Sequence, residues 1–317
     1  MKVTEIIRQA KKTLFSIEIL PPLKGDSIQT IFDGIEPLME FNPQFIDVTY
    51  HREEFVTTQF PDGSTFKRTI RKRPGTVGIS AAIMNRFKVD AIPHIICGGF
   101  TKEETENTLL DLHFLGIENV LVLRGDPVKS EGIFKPTPDG HVYATELLQA
   151  VKNMNNGIYI DENLAFPAPT NFCAGVAGYP EVHMEAESAA SDMKFLKMKQ
   201  DLGADYIVTQ MFFDNAKYFT WLEKCRQSGI TIPIIPGIKP LTTKKQMEIL
   251  PNVFHLEIPE DFRKAVKNAA DDEAAKQIGI EWCIKQSKEL MAAGVPILHY
   301  YTMSKSHAVK KICEAIF

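Results

Sequence analysis

The chain has 317 residues, 44% of them hydrophobic and 24% charged, and a formal net charge of −4. That balance excludes a disordered tail, a collagen and a disulfide-stapled mini-protein, and it leaves enough chain for a sizeable core. A mildly acidic protein is not expected to bind nucleic acid, although local backbone N–H groups can hold phosphate-bearing ligands against the overall sign. No apolar run reaches the roughly 20 residues of a membrane span, and the charged, amphipathic MKVTEIIRQAKKT start is a short helix, not a signal peptide. The cysteines at 97, 173, 225, 283 and 313 are odd in number and lack C-x-x-C spacing, as expected for reduced, buried thiols in a cytoplasmic protein.

The chain then alternates between two patterns. Short apolar and β-branched runs at 13–20, 45–50, 92–97, 119–124, 172–179, 206–210, 232–237 and 297–302 read as strands. Helical patterns lie between and after them, at 27–41, 101–115, 143–154, 185–202, 214–228, 242–250, 270–293 and 303–316. Thr101 stands three residues before Glu104 in a capping-box spacing, and Gly116 stops that helix. Length alone leaves one or two domains open. Eight strands, each followed by a helix, make the count of a (β/α)8 TIM barrel, class α/β, and the mostly continuous apolar strands suit burial on both faces. A doubly wound open sheet would alternate similarly, but no G-x-G-x-x-G follows any strand. The segment 51–90 lacks clean helical period and reads as an excursion or small hairpin around an Asp-Gly turn.

In a barrel, active groups gather at the C-terminal ends of the strands. Those ends carry Glu18, Thr49-Tyr50-His51, His94, Arg124-Gly125-Asp126, Tyr179 to His183, Gln210, Pro236-Gly237 and Tyr301-Thr302. Glu18 lies within an apolar run. It is either a structural ion-pair partner or an acid whose pKa is raised by burial so that it can donate a proton near neutrality. His94 by itself fits a hydrogen-bonded core histidine as well as a ligand. Gly125 between two charged residues allows close backbone approach to a ligand. The histidines at 94, 183, 255 and 299 raise the idea of a metal, but there is no H-x-H on the first strand and no carboxylate–His helix pair, so none is expected.

FSIEILPP (15–22), VTY (48–50), PHIIC (93–97), VLRGD (122–126), GYPEVHMEAES (178–188), TQMFFD (209–214), IIPGIKP (234–240) and LHYYTMS (298–304) fall in this order on the expected strand ends. Together they resemble the bacterial single-domain form of methylenetetrahydrofolate reductase, from about residue 13 to residue 316. The resemblance implies a single catalytic barrel over 1–317 with an elaborated 51–90 connection. It also implies no C-terminal regulatory domain, and hence no inhibition by S-adenosylmethionine through one. It further implies non-covalent FAD that takes hydride from NADH or NADPH and passes it to 5,10-methylenetetrahydrofolate. The product would be 5-methyltetrahydrofolate for methionine synthesis, formed by ping-pong kinetics, in a homo-oligomer. Two other classes stay open: a metal-dependent barrel hydrolase or lyase, and a non-catalytic barrel subunit.

Carried over by motif position, Glu18 matches the family's acid and Asp126 the aspartate beside the flavin and the pterin. The positions matching FAD contacts are Thr49, Tyr50, His94, Arg124, Gly125, Asp126, Ala144, Tyr179, His183, Ala186, Asp192 and Lys199. Those matching folate contacts are Gln210, Gln246, Leu250 and Lys305. Asp192 and Lys199, seven apart in a helical segment, share a face. Several positions depart from the family pattern: His51-Arg52 replace small residues, the 53–75 stretch is longer and more basic, and Phe195 and Met198 replace polar or basic residues. Lys305 stands for Arg, exchanging a bidentate contact for a point charge. Arg52, Lys67, Arg68 or the 71–73 run either reaches cofactor phosphates or a polyglutamate tail, or forms a solvated basic loop.

Overall fold

The computed structural model describes residues 1–127 and 132–317. In chain order the first elements are α1 (Val3–Gln9), β1 (Leu14–Ile19), α2 (Gln29–Ile35), a 3-10 helix (Glu36–Phe41) and β2 (Phe45–Val48). Next come β3 (Glu54–Gln59), β4 (Thr65–Ile70), α3 (Thr76–Phe87), β5 (Asp90–Ile96), α4 (Lys102–Phe114) and β6 (Asn119–Leu123). The middle of the chain supplies α5 (Ala144–Asn155), β7 (Cys173–Gly178), α6 (Ala189–Asp201), β8 (Tyr206–Thr209) and α7 (Asn215–Gln227). The remainder is β9 (Ile234–Ile235), β10 (Gly237–Ile238), α8 (Gln246–Phe254), α9 (Glu260–Lys267), α10 (Asp272–Ala292), β11 (Ile297–Tyr301) and α11 (Ser306–Ile316).

The main sheet runs β10-β11-β1-β2-β5-β6-β7-β8-β9, and every pairing in it is parallel. The two ends of that order, β9 and β10, are consecutive in the chain and flank Pro236. They are halves of one barrel strand, broken where proline has no N–H for the ladder. The Pro236 carbonyl still accepts from the His299 N–H at 3.0 Å, so the sheet closes into the expected eight-stranded (β/α)8 barrel.

All eight expected strands are present. The 27–41 segment is not one helix: Pro37 sits in the first turn of the 3-10 helix that takes over at Glu36. The 51–90 excursion contains the hairpin β3–β4, paired antiparallel about Asp62-Gly63, with Gly63 at φ +82° and the Asp62 carboxylate accepting from the Ser64 N–H at 2.9 Å. It also contains α3, which had no sequence signal. Its buried face is made of Thr76, Ile79, Ser80 and Ile83, half of them polar, so apolar periodicity is weak. Helix α9 was likewise unannounced.

Apolar residues pack against both sides of the barrel wall. Outside the sheet, residues such as Ile31, Ile83, Leu109, Leu147, Leu196, Trp221 and Val309 join the helices to the outward strand faces. Inside, Phe45, Ile92, Leu121, Tyr206, Ile235 and Ile297 pack with Val3 and Ile6 of α1. Helix α1 therefore plugs the N-terminal end. It is tied there by the Val3 N–H to the Asn119 side chain at 2.9 Å and by the chain's amino group to Asp90 at 2.9 Å. The opposite end is left for chemistry. The five cysteines are buried and free. No helix of the described residues is long and apolar enough to cross a membrane.

The capping box at α4 is formed in both directions: the Glu104 N–H donates to Thr101 Oγ1 at 3.1 Å and the Thr101 N–H donates to Glu104 Oε2 at 2.8 Å. Thr101→Ala is expected to lower unfolding free energy by about 1 kcal/mol, read as a lower urea midpoint at unchanged slope.

Candidate active site

Strand alternation decides which side chains enter the barrel. On β1, Ser16 and Glu18 share the inward face; on β2 that face carries Asp47, on β5 His94, and on β11 His299 and Tyr301. Register levels them: Glu18 pairs with Tyr301 on one side and Asp47 on the other. The result is a buried polar layer above the apolar plug. His94 Nε2 stands 3.6 Å from Glu18 Oε2 and 3.6 Å from Asp47 Oδ2, and His299 Nε2 lies 3.9 Å from the same Asp47 oxygen. Ser16 Oγ is 2.8 Å from His299 Nδ1.

Burial dominates the electrostatics of this layer. Glu18, 9% exposed, has its pKa pushed up to about 7, chiefly by desolvation and also by the charges of Asp47 and Asp126, against the opposing pull of His94 and Lys239. Asp47, with no exposed surface, is pushed up to about 7 by burial, with His299 opposing. Burial lowers both His94 and His299, which favours neutral imidazoles in this layer. Both features raised by the sequence meet at Glu18: its carboxyl is buried with a raised pKa, and it has an imidazole partner in His94 at 3.6 Å. Despite the gathering of acids and imidazoles, no group of three or more His, Cys, Asp or Glu among the described residues is arranged to hold a metal ion.

Beside this layer runs a second group, on the loops after β6 and β7 and on α6. Gly125 takes φ +88°, and a Cβ there would lie 3.1 Å from Ile96 Cδ1, so only glycine sits easily. Asp126 is exposed, and its charge acts on Glu18, His94, His51 and Tyr179. Arg124 pairs with Glu185 and lies over the Phe134 ring at 4.8 Å. The Tyr179 and His183 rings meet edge to face at 4.6 Å. Asp192 accepts from the His183 N–H at 3.1 Å, and the Ala186 N–H donates to the His183 carbonyl at 2.9 Å. Lys199 donates to the Ala177 carbonyl at 3.0 Å, and burial brings its ammonium down to about 8. Asp192 and Lys199 attract each other across α6, as their spacing predicts. Ala144 is the first residue of α5.

Thr49 and Tyr50 follow β2. The Thr49 hydroxyl is buried without a hydrogen-bond partner, whereas Tyr50 packs on Phe100 at 4.9 Å and takes a hydrogen bond from Arg71. An orphaned inward hydroxyl, a glycine held for close approach, and the cations Arg124 and Lys199 beside stacking rings form a donor set that fits a flavin dinucleotide.

The remaining expected residues are less gathered. The Gln210 side-chain carbonyl accepts from the Met211 N–H at 2.9 Å. Gln246 closes its own turn, accepting from the Thr242 N–H at 2.7 Å. Leu250 is 5% exposed and packs with Met211, Phe213, Leu241 and Met247, so packing is its contribution. Lys305 is exposed at the start of α11, and its charge acts on Lys239. In the basic stretch, Lys72 pairs with Glu54, Arg73 donates to the Pro21 carbonyl and Arg52 donates to the Lys135 carbonyl. Sequence reasoning passed over Asp47 and Lys239, and weighed His299 only as a metal ligand. Asp47 was legible in principle, two residues before Thr49 and so on the same strand face. The buried Lys239 had no signal, because its nearness to Glu18 is made by barrel closure.

A family model described as methylenetetrahydrofolate reductase matches residues 2–316. Methylenetetrahydrofolate reductase 1 of Schizosaccharomyces pombe is 33% identical over 308 residues, covering 96% of this chain and 46% of the yeast protein. The 5,10-methylenetetrahydrofolate reductase of Escherichia coli K12 is 30% identical over 302 residues, covering 95% of this chain and 90% of the bacterial protein. The chain spans about half the length of the eukaryotic relatives it matches. Among solved structures, an uncharacterized Clostridium thermocellum protein that binds two copies of 5-methyl-5,6,7,8-tetrahydrofolic acid aligns with a TM-score of 0.62. That likeness, at 14% identity over 99% of this chain and 97% of the other, shows a shared barrel fold. With one family model spanning the chain and the bacterial relative matched nearly end to end, this chain belongs to the methylenetetrahydrofolate reductase family.

Proposed function

We propose that this protein reduces 5,10-methylenetetrahydrofolate to 5-methyltetrahydrofolate, with NADH or NADPH as hydride donor and FAD as cofactor, supplying methyl groups for methionine synthesis. The observation that carries the proposal is Glu18, a carboxyl buried at the mouth end of the barrel and held up to about 7. A group in that state is still substantially protonated near neutral pH, where an ordinary carboxyl is not, and can deliver its proton.

FAD, when bound, supplies a two-electron centre that accepts hydride from a reduced nicotinamide and yields it to the folate. Thr49, Tyr50, His94, Arg124, Gly125, Ala144, Tyr179, His183, Ala186, Asp192 and Lys199 would hold it. Glu18 gives its proton to the folate amine nitrogen as the five-membered ring opens to an iminium ion. Asp126 keeps a negative charge beside that cation and hydrogen-bonds the pterin. Gln210, Gln246, Leu250 and Lys305 shape the folate side, with Lys305 offering a point charge to the glutamate tail. The two substrates would occupy one face in turn, which makes the kinetics ping-pong.

The test is spectroscopic. Purified protein loaded with FAD should absorb near about 450 nm, bleach with NADH or NADPH, and recover its colour with methylenetetrahydrofolate. A protein that cannot be loaded with flavin, or whose reduced form ignores the folate, overturns the reading.

A further inference from the structure

The buried layer contains more proton-holding groups than the reaction above uses. Glu18 faces the mouth, but Asp47 and His299 lie behind it with no exposed surface. An aspartate in that position is tolerated only when it is paired or neutral, since an isolated buried carboxylate is strongly destabilised. Its neighbours are two imidazole nitrogens, His94 Nε2 at 3.6 Å and His299 Nε2 at 3.9 Å. The first of these is also 3.6 Å from Glu18. One nitrogen thus stands equidistant between two carboxyls with no hydrogen bond made to either, so a proton transfer on each side needs that gap to close. His299 is set from behind: when the Ser16 hydroxyl donates to Nδ1 at 2.8 Å, the imidazole keeps its proton on Nε2, facing Asp47.

Resting on the folate-reducing reading, we infer that Asp47 is a positioning residue that holds a reserve proton for Glu18, passed through His94 Nε2. Once Glu18 has given its proton to the folate nitrogen, the Asp47 carboxyl gives its own to His94 Nε2, and the same nitrogen passes it to Glu18. Asp47 is left as a carboxylate facing the Nε2–H of His299. The store refills by the reverse route when Glu18 is reprotonated at the open mouth, so each turnover consumes one proton from solvent.

Among the described residues, the carrier His94 also feels Asp126 and faces His51, after β2, and His299. Asp47 is met by His94 from β5, His299 and Tyr301 from β11, and Tyr206 from β8. Glu18 additionally feels Lys239, just beyond β10, and Asp126 from the loop after β6. Asp47 and Asp126 favour the protonated form of Glu18, while His94 and Lys239 oppose it. Removing the Asp47 charge therefore lowers the pH at which Glu18 loses its proton, and the reserve is lost with it. The first effect weakens the acid on the alkaline side, where Asp47 is ionised; the second removes the buried proton that Glu18 otherwise recovers at lower pH.

The experiment follows reoxidation of the NADH-reduced, FAD-loaded protein by methylenetetrahydrofolate, from about pH 6 to about pH 9. For Asp47→Asn the acidic plateau should stay within about twofold of wild type, while the alkaline limb moves about one unit lower, roughly a tenfold loss on that side. Flavin reduction by NADH should be unchanged at every pH. A limb that superimposes on wild type overturns the inference, as does equal slowing at all pH values, which is the mark of a packing defect. Failure of wild type to be reoxidised at any pH sinks the functional reading as well, so the two failures are distinct. Infrared difference spectra of Glu18→Gln give a second route that does not depend on Asp47→Asn folding. A protonated buried carboxyl titrating near neutrality should persist there, and its absence overturns the assignment.

Discussion

Glu18→Gln is expected to slow reoxidation of the reduced flavoprotein by methylenetetrahydrofolate by about 10²–10⁴-fold, while flavin reduction by NADH keeps its wild-type rate. Glutamine preserves the volume and one oxygen of the side chain but has no proton to deliver. Stopped-flow measurement of each half-reaction separates the two, and equal slowing of both would sink the assignment. The same substitution has a stability signature. Because burial holds Glu18 up to about 7 from the ordinary 4.5, the folded protein keeps this proton more tightly than the unfolded chain. The stabilisation is full below the ordinary carboxylate range and is lost as pH rises through about 7. Gln does not titrate, so the melting temperature of the variant should fall less than that of wild type across that window.

Gly237→Ala should cost about 2–3 kcal/mol, with loss of activity wherever the fold survives. A Cβ at this position would lie 2.3 Å from the Thr209 carbonyl oxygen and 2.6 Å from Tyr301 Cε2. Neither neighbour is free to retreat. The Thr209 carbonyl accepts from the Tyr301 hydroxyl at 2.6 Å, and Thr209 Oγ1 accepts from the Gly237 N–H at 2.9 Å. Relief of the clash must therefore open the barrel at its broken strand, beside Glu18's neighbour Tyr301. Gly78 in α3 has open space where its Cβ would go, so Gly78→Ala is expected to raise stability by about 0.5–1 kcal/mol. Chemical denaturation of the pair should give opposite signs, and a gain for Gly237→Ala would contradict the packing argument.

The parts that could be read in advance are those governed by local periodicity. Eight apolar runs became eight barrel strands because parallel strands buried on both faces need continuous apolar residues. Thr101 and Glu104 announced α4 because both halves of a capping box lie within one turn. The Asp62-Gly63 hairpin was visible for the same local reason. Helix α3 was not, because its buried face mixes Thr76 and Ser80 with Ile79 and Ile83. Pro37 turned the end of one expected helix into a 3-10 segment.

The site divides in the same way. That Glu18, Asp126, His94 and Tyr179 lie at strand ends follows from the chain alone, as does the sharing of a helix face by Asp192 and Lys199. No local pattern could place His94 and His299 around one oxygen of Asp47, since the three lie on strands far apart in the chain and meet only through the register of β2 with β5 and of β1 with β2 and β11. The elevation of Glu18 also belongs to the closed barrel, because it arises from desolvation and from charges on other strands. Strand order, helix caps and the acid's position are short-range properties written in neighbouring residues. Burial and the acid's pKa depend on distant groups, brought into a common low-dielectric space only when the sheet closes.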